Sequence, residues 1–238
     1  MCCICDIELS KPINKESYLH GLPVIQYLSK HKSIPLTHDV TFFVGENGTG
    51  KSTLMEAIAV TYGFNAEGGT KNFNFSTKDS HSELSEHITL AKSKYPEDGF
   101  FLRAESFYNA AGYIDEVGAA KYYGKKSLHK QSHGESFLAL VTNRFSGNGI
   151  YLLDEPEAAL SPSRLFALIV QINSLVRKNS QFIIATHSPI LMAFPEAQIY
   201  EFSENGIKSV SYKETEHYRL TKQFLENPER MLKYLLDD

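Results

Sequence analysis

Gly45, Glu46, Asn47, Gly48, Thr49, Gly50, Lys51 and Ser52 follow one another in the spacing G-x-x-x-x-G-K-[ST]. Each residue type there has a chemical use. Glycines let the backbone curl until its N–H groups point inward at phosphate oxygens. A helix starting at this loop adds the positive end of its dipole. The Lys51 ammonium reaches the β- and γ-phosphates, and the Ser52 hydroxyl ligates Mg²⁺. Thr53 closes the phosphate-binding segment. A second group is the adjacent pair Asp154 and Glu155, which ends the apolar run Ile150–Leu153. One carboxylate of such a pair holds Mg²⁺ and its neighbour polarises an attacking water near the γ-phosphate. His187 stands just past a third apolar run, Phe182–Ala185.

These groups need a scaffold that brings them together. Val40–Val44 is a short β-branched and aromatic run ended by the glycine loop, which reads as a buried strand. Leu54, Ile58 and Tyr62 recur every four residues, so the spacing predicts a helix over 52–62, closed by Gly63. Residues 82–94 show weak helical spacing through Leu84, Ile88 and Ala91. Phe100–Ala104, Ile150–Leu153 and Phe182–Ala185 read as further strands. Glu135–Phe145 reads as a helix. Ser161–Pro162 starts another, with Leu165, Leu168, Ile169, Ile172 and Val176 in one stripe. Ile199–Phe202 and Ile207–Tyr212 read as a hairpin, and two helices split near Pro228 follow. Strands alternating with helices predict an α/β layered sheet. Acids and a histidine at strand ends then fall on the sheet's carboxyl edge, where ligands bind.

A further segment narrows the class. Gln131-Ser132-His133-Gly134-Glu135-Ser136 opens the 135–145 helix. By its residues alone it is a helix N-terminus offering a hydroxyl and free N–H groups to a phosphate, or an ordinary capping box of Ser132 and Glu135. It resembles the Leu-Ser-Gly-Gly-Gln signature of ABC-type ATPases, with Ser132, Gly134 and Glu135 in the second, fourth and fifth places. Ala159 and Leu160 match the D-loop that follows the paired acids, with Ser161 where Asp is usual. His187 matches the switch histidine. Together with Val44–Thr53, Phe64–Gly69, Phe101–Ser106 and Ala185–Pro189, these motifs resemble small stand-alone bacterial ATPases of the ABC/AAA-domain type, with heads like those of SMC and RecF proteins.

The resemblance implies a P-loop NTPase fold of the α/β class. It is an ABC-type head with a mainly parallel core sheet flanked by helices, and a small helical lobe within 63–131. It implies ATP and Mg²⁺ as ligands, and a homodimer on ATP binding in which Ser132, Gly134 and Glu135 of one chain meet the γ-phosphate held by the other. Lys51, Glu155 and His187 become the catalytic residues, Ser52 and Asp154 the metal ligands. No Gln lies between Gln26 and Gln131 to sense the metal. Glu105, after the Phe100–Ala104 strand, takes that place. Tyr18 and Tyr27 are the candidates for stacking adenine.

The 238 residues carry 42% hydrophobic and 22% charged residues, which excludes a disordered or collagen-like chain. The longest apolar runs fall far short of a bilayer span, and no basic-then-apolar leader opens the chain, so a cytoplasmic location without membrane insertion is expected. Net charge is −4, whereas nucleic-acid binders are usually basic. A local basic face, such as Lys121, Lys125, Lys126 and Lys130, reads as a solvated surface. Cys2, Cys3 and Cys5 lack a following ligand-spaced Cys/His pair. They read as reduced thiols on a first strand, with Cys5, Ile7 and Leu9 on one face. About 80 residues separate Lys51 from Ser132, too few for coiled-coil arms, so one head spanning 1–238 is expected. Three uses remain open: an ATPase coupled to a nucleic-acid or a defence or repair partner (DNA or a protein), a nucleotide-gated binding module with slow hydrolysis, or the ATPase subunit of a membrane transporter.

Overall fold

Three strands made wholly of buried residues form the centre of the protein. They are β3 (Val40–Gly45), β6 (Gly149–Asp154) and β7 (Gln181–Ala185). Strands buried along their whole length need cover on both faces, which parallel sheets with crossover helices supply. The computed structural model describes residues 2–70, 82–104 and 132–236. In it the three strands join β5 (Asp98–Arg103), β8 (Gln198–Ser203) and β9 (Gly206–Ser209) in one sheet of order β5-β6-β7-β3-β8-β9. All neighbours are parallel except β9, which returns antiparallel along β8 as a hairpin.

Alternate side chains divide the core in two. Phe43, Leu152 and Ile183 pack on one face against α1 (Pro23–His31) and α2 (Lys51–Tyr62), through Val24, Leu54 and Ile58. Phe42, Val44, Leu153 and Ile184 pack on the other face. Their partners are Phe137 and Val141 of α3 (His133–Arg144) and Leu165, Leu168 and Ile172 of α4 (Pro162–Val176). The phosphate-loop helix and the signature helix therefore lie on opposite faces of the sheet. A single-turn helix, α5 (Pro189–Met192), follows β7, and α6 (Glu216–Glu226) and α7 (Pro228–Leu236) end the described chain.

A second, antiparallel sheet has the order β2-β1-β4, from β1 (Ile4–Leu9), β2 (Ser33–Pro35) and β4 (Ile88–Lys92). This corrects the helical reading of 82–94. Leu84 is buried from a 3₁₀ turn over Glu83–Glu86, and the chain then pairs with β1, Ile88 opposite Leu9 and Leu90 opposite Ile7. Strand pairing outweighs a weak helical spacing. Of the 63–131 stretch expected to hold a helical lobe, residues 82–104 carry this turn and two strands. The remainder includes 71–81 and 105–131, which lie outside the described residues, as does the basic cluster Lys121–Lys130.

The expected face of β1 is also modified. A bulge between Ile4 and Asp6 takes Cys5 out of phase, so Ile4 and Ile7 are buried with Leu9 packed on the same core, while Cys5 is half-buried. Gln181 ties this sheet to the core. Its Oε1 accepts from the N–H groups of Cys3 and Ile4, both at 2.8 Å, and its Nε2 donates to the Ile4 carbonyl at 2.9 Å.

The amino edge of β5 and β6 is closed by a polar knot. Asp98 accepts from the Tyr151 hydroxyl at 2.7 Å and from Arg144 at 2.6 Å. The Ser146 N–H and hydroxyl add two more donors, at 3.1 and 3.0 Å. Burial raises the Asp98 pKa, but hydrogen bonds from Tyr151 and Arg144 and the Arg144 charge outweigh it and hold the carboxyl below its ordinary value. The unfolded chain then takes up the proton first as pH falls. The stabilisation is complete above about pH 4 and is lost as pH drops through the folded value. Asp98→Asn should cost about 2 kcal/mol in urea unfolding at pH 7. The gap to the unsubstituted chain should close as pH falls below about 4, whereas a gap constant with pH would exclude this role.

Candidate functional site

The register of the core sheet fixes the site. Arg103 pairs with Asp154, Asp154 with Ala185, and Phe43 with Ala185. The carboxyl ends of β3, β5, β6 and β7 thus meet at one edge, the place for ligands in such sheets.

From β3 the chain enters the glycine loop. Gly45, Gly48 and Gly50 have φ of 127°, 82° and 95°, the left-handed region that glycine alone occupies without strain. At Gly45 the reason is also contact, because a Cβ would overlap the Phe202 carbonyl of β8. At Gly50 a Cβ would lie 2.6 Å from Val24 of α1. Thr49 donates its hydroxyl to the Glu46 carbonyl at 2.8 Å and braces the curl. Glu46, Asn47 and Gly48 are exposed at its lip. Lys51, 4% exposed, sends its ammonium into the curl, donating to the carbonyls of Gly45 at 2.6 Å and Glu46 at 2.7 Å. Burial lowers its pKa, against the carboxylates of Glu155 and Asp154.

Ser52 and Asp154 come together as the sequence predicts. The Ser52 hydroxyl donates to Asp154 Oδ1 at 3.2 Å. The other oxygen of Asp154 faces Arg103 Nε at 3.3 Å, and Arg103 also pairs with Glu56 at 3.0 Å. Asp154 is only 3% exposed. Burial pushes its pKa up to about 6 and the Glu155 charge adds to this, while Arg103, the Ser52 hydroxyl and Lys51 pull it down. A buried carboxylate beside a hydroxyl offers the hard oxygen donors that suit Mg²⁺. The residues present fit the ion that the loop implies.

Glu155 leaves the strand in a left-handed conformation, φ 50° and ψ 51°, with Pro156 next. Its N–H donates to the Ala185 carbonyl at 2.9 Å, which ties the turn to β7. A non-glycine residue held this way stores strain of order 1–3 kcal/mol, a feature concentrated at functional sites. Its carboxylate sits 3.4 Å from His187 Nε2. The His187 main-chain N–H donates to the Glu157 carboxylate. The far side of the imidazole meets His217 of α6, Nδ1 to Nε2 at 3.1 Å.

Ser132, Gly134 and Glu135 form a separate group. Glu135 accepts from the Ser132 N–H at 2.9 Å and from its hydroxyl at 2.7 Å, a capping box. Arg164 of α4 donates to the Ser132 hydroxyl at 3.3 Å and lies 3.5 Å from Glu135. A Cβ at Gly134 would come 2.9 Å from the Ala159 carbonyl, so this glycine lets α3 rest on the segment after the paired acids. Ser161 stands at the N-cap position of α4, before Pro162, with its hydroxyl 3.1 Å from that of Ser163 rather than on a helix N–H.

Arg103, Glu56, Arg164 and His217 escaped the sequence reading. Arg103 and Glu56 had a usable signal: one ends a strand beside the acids, the other lies one helical turn after Ser52. Glu105 lies outside the described residues. Tyr18 is exposed, and Tyr27 stacks on His31 with centroids 4.3 Å apart. The Cys2 and Cys3 thiols are buried and their pKa values raised, by burial first. Among the described residues no cluster of three or more His, Cys, Asp or Glu could hold a metal by itself.

Two family models match the sequence. One, described as "AAA domain", covers residues 23–137. The other, described as "AAA domain, putative AbiEii toxin, Type IV TA system", covers 127–193. The ribose import ATP-binding protein RbsA of Shigella dysenteriae serotype 1 is 28% identical over 225 residues, 83% of this chain and 40% of that protein. RbsA of Halalkalibacterium halodurans is 24% identical over 203 residues, 69% of this chain and 40% of that protein. The chain spans about two fifths of the length of these curated relatives. Among solved structures, cbiO1 from Clostridium perfringens, part of the ABC transporter complex cbiONQ, superposes with a TM-score of 0.51. It is 17% identical, with 99% of each chain covered. An inward-facing metal-chelate type ABC transporter gives a TM-score of 0.50 at 15% identity, covering 93% of this chain and 89% of that one. The fold is that of an ABC-type ATPase, and the two AAA-domain models between them match residues 23–193.

The loop glycines make unequal demands. Gly45→Ala meets both a left-handed φ and the Phe202 carbonyl, whereas a Cβ at Gly48 has open space within 4 Å. Gly45→Ala should lower unfolding free energy by about 3 kcal/mol or more, and Gly48→Ala by about 1 kcal/mol. Equal losses in urea titrations would contradict the close approach of β8 to the loop.

Proposed function

We propose that this chain is a Mg²⁺-dependent ATPase head that hydrolyses ATP between two copies of itself. The observation that carries this reading is the placing of α2 and α3 on opposite faces of one sheet. The phosphate loop and the Ser132 cap belong to those two helices, and the Ser132 hydroxyl is engaged with Glu135 and Arg164, which fits a cap that serves a γ-phosphate held by another chain. A second chain set head to tail brings its own Ser132, Gly134 and Glu135 to the first chain's loop, and a two-fold axis makes two such sites.

Within each site the chain's residues divide the work. Loop amides from Gly45 to Thr53 and the Lys51 ammonium bind the phosphates. Ser52 and Asp154 would hold Mg²⁺, which when bound neutralises phosphate charge. Glu155 accepts the proton of the attacking water at its carboxylate, and His187 beside it contacts the γ-phosphate. Lys51 supports this assignment, because its buried ammonium already occupies the curl where phosphate oxygens go.

The work done with this ATP is assigned to a nucleic-acid or protein partner. Salt-dependent DNA binding that requires ATP would identify the first kind, since phosphate contacts release counterions. A second reading is the ATPase subunit of a transporter, favoured by the import ATP-binding proteins among the relatives. No helix of the described residues is long and apolar enough to cross a membrane, and in that reading the chain docks on a membrane partner. Co-purification with a membrane protein would support it.

Glu155→Gln should retain ATP binding, lower turnover at least about 100-fold and shift the chain to dimer with ATP present. Sedimentation velocity and phosphate release check both effects. Hydrolysis at the unsubstituted rate would show that Glu155 is not the base.

A further inference from the structure

His217 is the second residue of α6, and the fold holds it firmly in place. The Thr215 hydroxyl caps the helix, accepting from the Tyr218 N–H at 3.3 Å. The Glu216 N–H donates to the Glu201 carboxylate of β8 at 2.7 Å. From this anchored turn the His217 ring reaches His187, with centroids 5.2 Å apart and the facing nitrogens at 3.1 Å.

Two nitrogens at that distance need one N–H and one lone pair between them, and a neutral imidazole carries one of each. In the first arrangement His217 Nε2–H donates to His187 Nδ1. His187 then carries its proton on Nε2, facing the Glu155 carboxylate at 3.4 Å. In the reverse arrangement His187 Nδ1–H donates, which leaves a bare Nε2 lone pair facing that carboxylate. The two outer nitrogens, His187 Nε2 and His217 Nδ1, are both buried without a hydrogen bond among the described residues. In either arrangement one of them carries the N–H and the other the lone pair. A carboxylate 3.4 Å away attracts an N–H and repels a lone pair, so the proton belongs on the His187 side. A doubly protonated His187 would meet the carboxylate as well, but it moves the proton of His217 onto Nδ1, which has no such acceptor. The first arrangement is the one that gives its outer N–H the carboxylate.

We propose that His217 is a positioning residue that fixes His187 as the Nε2–H tautomer, its N–H aimed toward Glu155 and the phosphate end of the site. Burial lowers the His217 pKa, with the His187 and Lys51 charges in the same direction and Glu46 and Glu216 opposing, which suits a neutral donor. The tautomer stands on this geometry alone. Its effect on rate rests on the ATPase reading above, because a hydrogen-bond donor at Nε2 is what a γ-phosphate oxygen requires. Groups that orient a metal-bound histidine by a hydrogen bond typically change activity 10- to 100-fold, and an effect of the same order is expected here.

The test is ¹⁵N-resolved NMR of the histidine side chains in the full chain without nucleotide, with a His187→Gln spectrum assigning the signal. His187 is expected with a protonated Nε2 and a bare Nδ1. His217→Ala should convert this to a mixture of tautomers, lower kcat for ATP about 10- to 100-fold and change KM less than about threefold. His217→Gln, whose amide N–H can still donate to Nδ1, should recover most of kcat. A His187 protonated at Nδ1 in the unsubstituted chain overturns the proposal, whatever the variants do. So does a His217→Ala chain with unaltered tautomer, or one whose loss of kcat His217→Gln does not relieve. A chain with no ATPase activity, yet with His187 protonated at Nε2 alone, overturns the functional reading and leaves the tautomer assignment standing.

Discussion

Parallel strands buried on both faces have only their ends to offer to solvent. This constraint organises the molecule. β3, β6 and β7 present no accessible side of the sheet, so their chemistry collects where they stop. Their mutual register makes them stop together, Phe43 level with Ala185 and Ala185 level with Asp154. The glycine loop, the paired acids and His187 are therefore neighbours although far apart in sequence. The same burial forces the covering helices onto opposite faces and separates the phosphate loop from the Ser132 cap.

Charge at the edge follows from the same packing. Asp154 is carried to the end of an apolar strand with almost no solvent left around it. Burial and Glu155 disfavour its ionised form, and Arg103 and Ser52 partly offset them. Arg103 is itself held by Glu56, so the Asp154 carboxylate is fixed by a chain of contacts reaching from β6 through β5 to α2. On the far side, Glu155, His187 and His217 form a second chain that ends in α6. One chain places Asp154, and the other places His187 beside Glu155.

Much of this was legible in the residues. Unbroken apolar runs ended by glycine or acid marked β3, β6 and β7, because such runs fit few places other than a covered strand. The loop and the acids could be read because each residue type has one chemical use at that spacing. The small antiparallel sheet was not legible. Leu84, Ile88 and Ala91 fit a weak helical period, and only pairing with β1 decides for a strand. Of the face expected for β1, Ile7 and Leu9 hold and Cys5 does not, because a bulge leaves no mark in a short run. His217 and Arg164 were invisible because their partners are distant in sequence and neither follows a motif.

The central claim is that one chain supplies the phosphate loop and another the Ser132 cap of the same site. Complementation tests it directly. Chains carrying Lys51→Ala and chains carrying Ser132→Arg should each lack ATPase activity. Mixed in equal amounts, they form hetero-pairs in which one site combines an intact loop with an intact cap, and phosphate release should return. A mixture as inactive as its separate components would contradict a site shared between two chains.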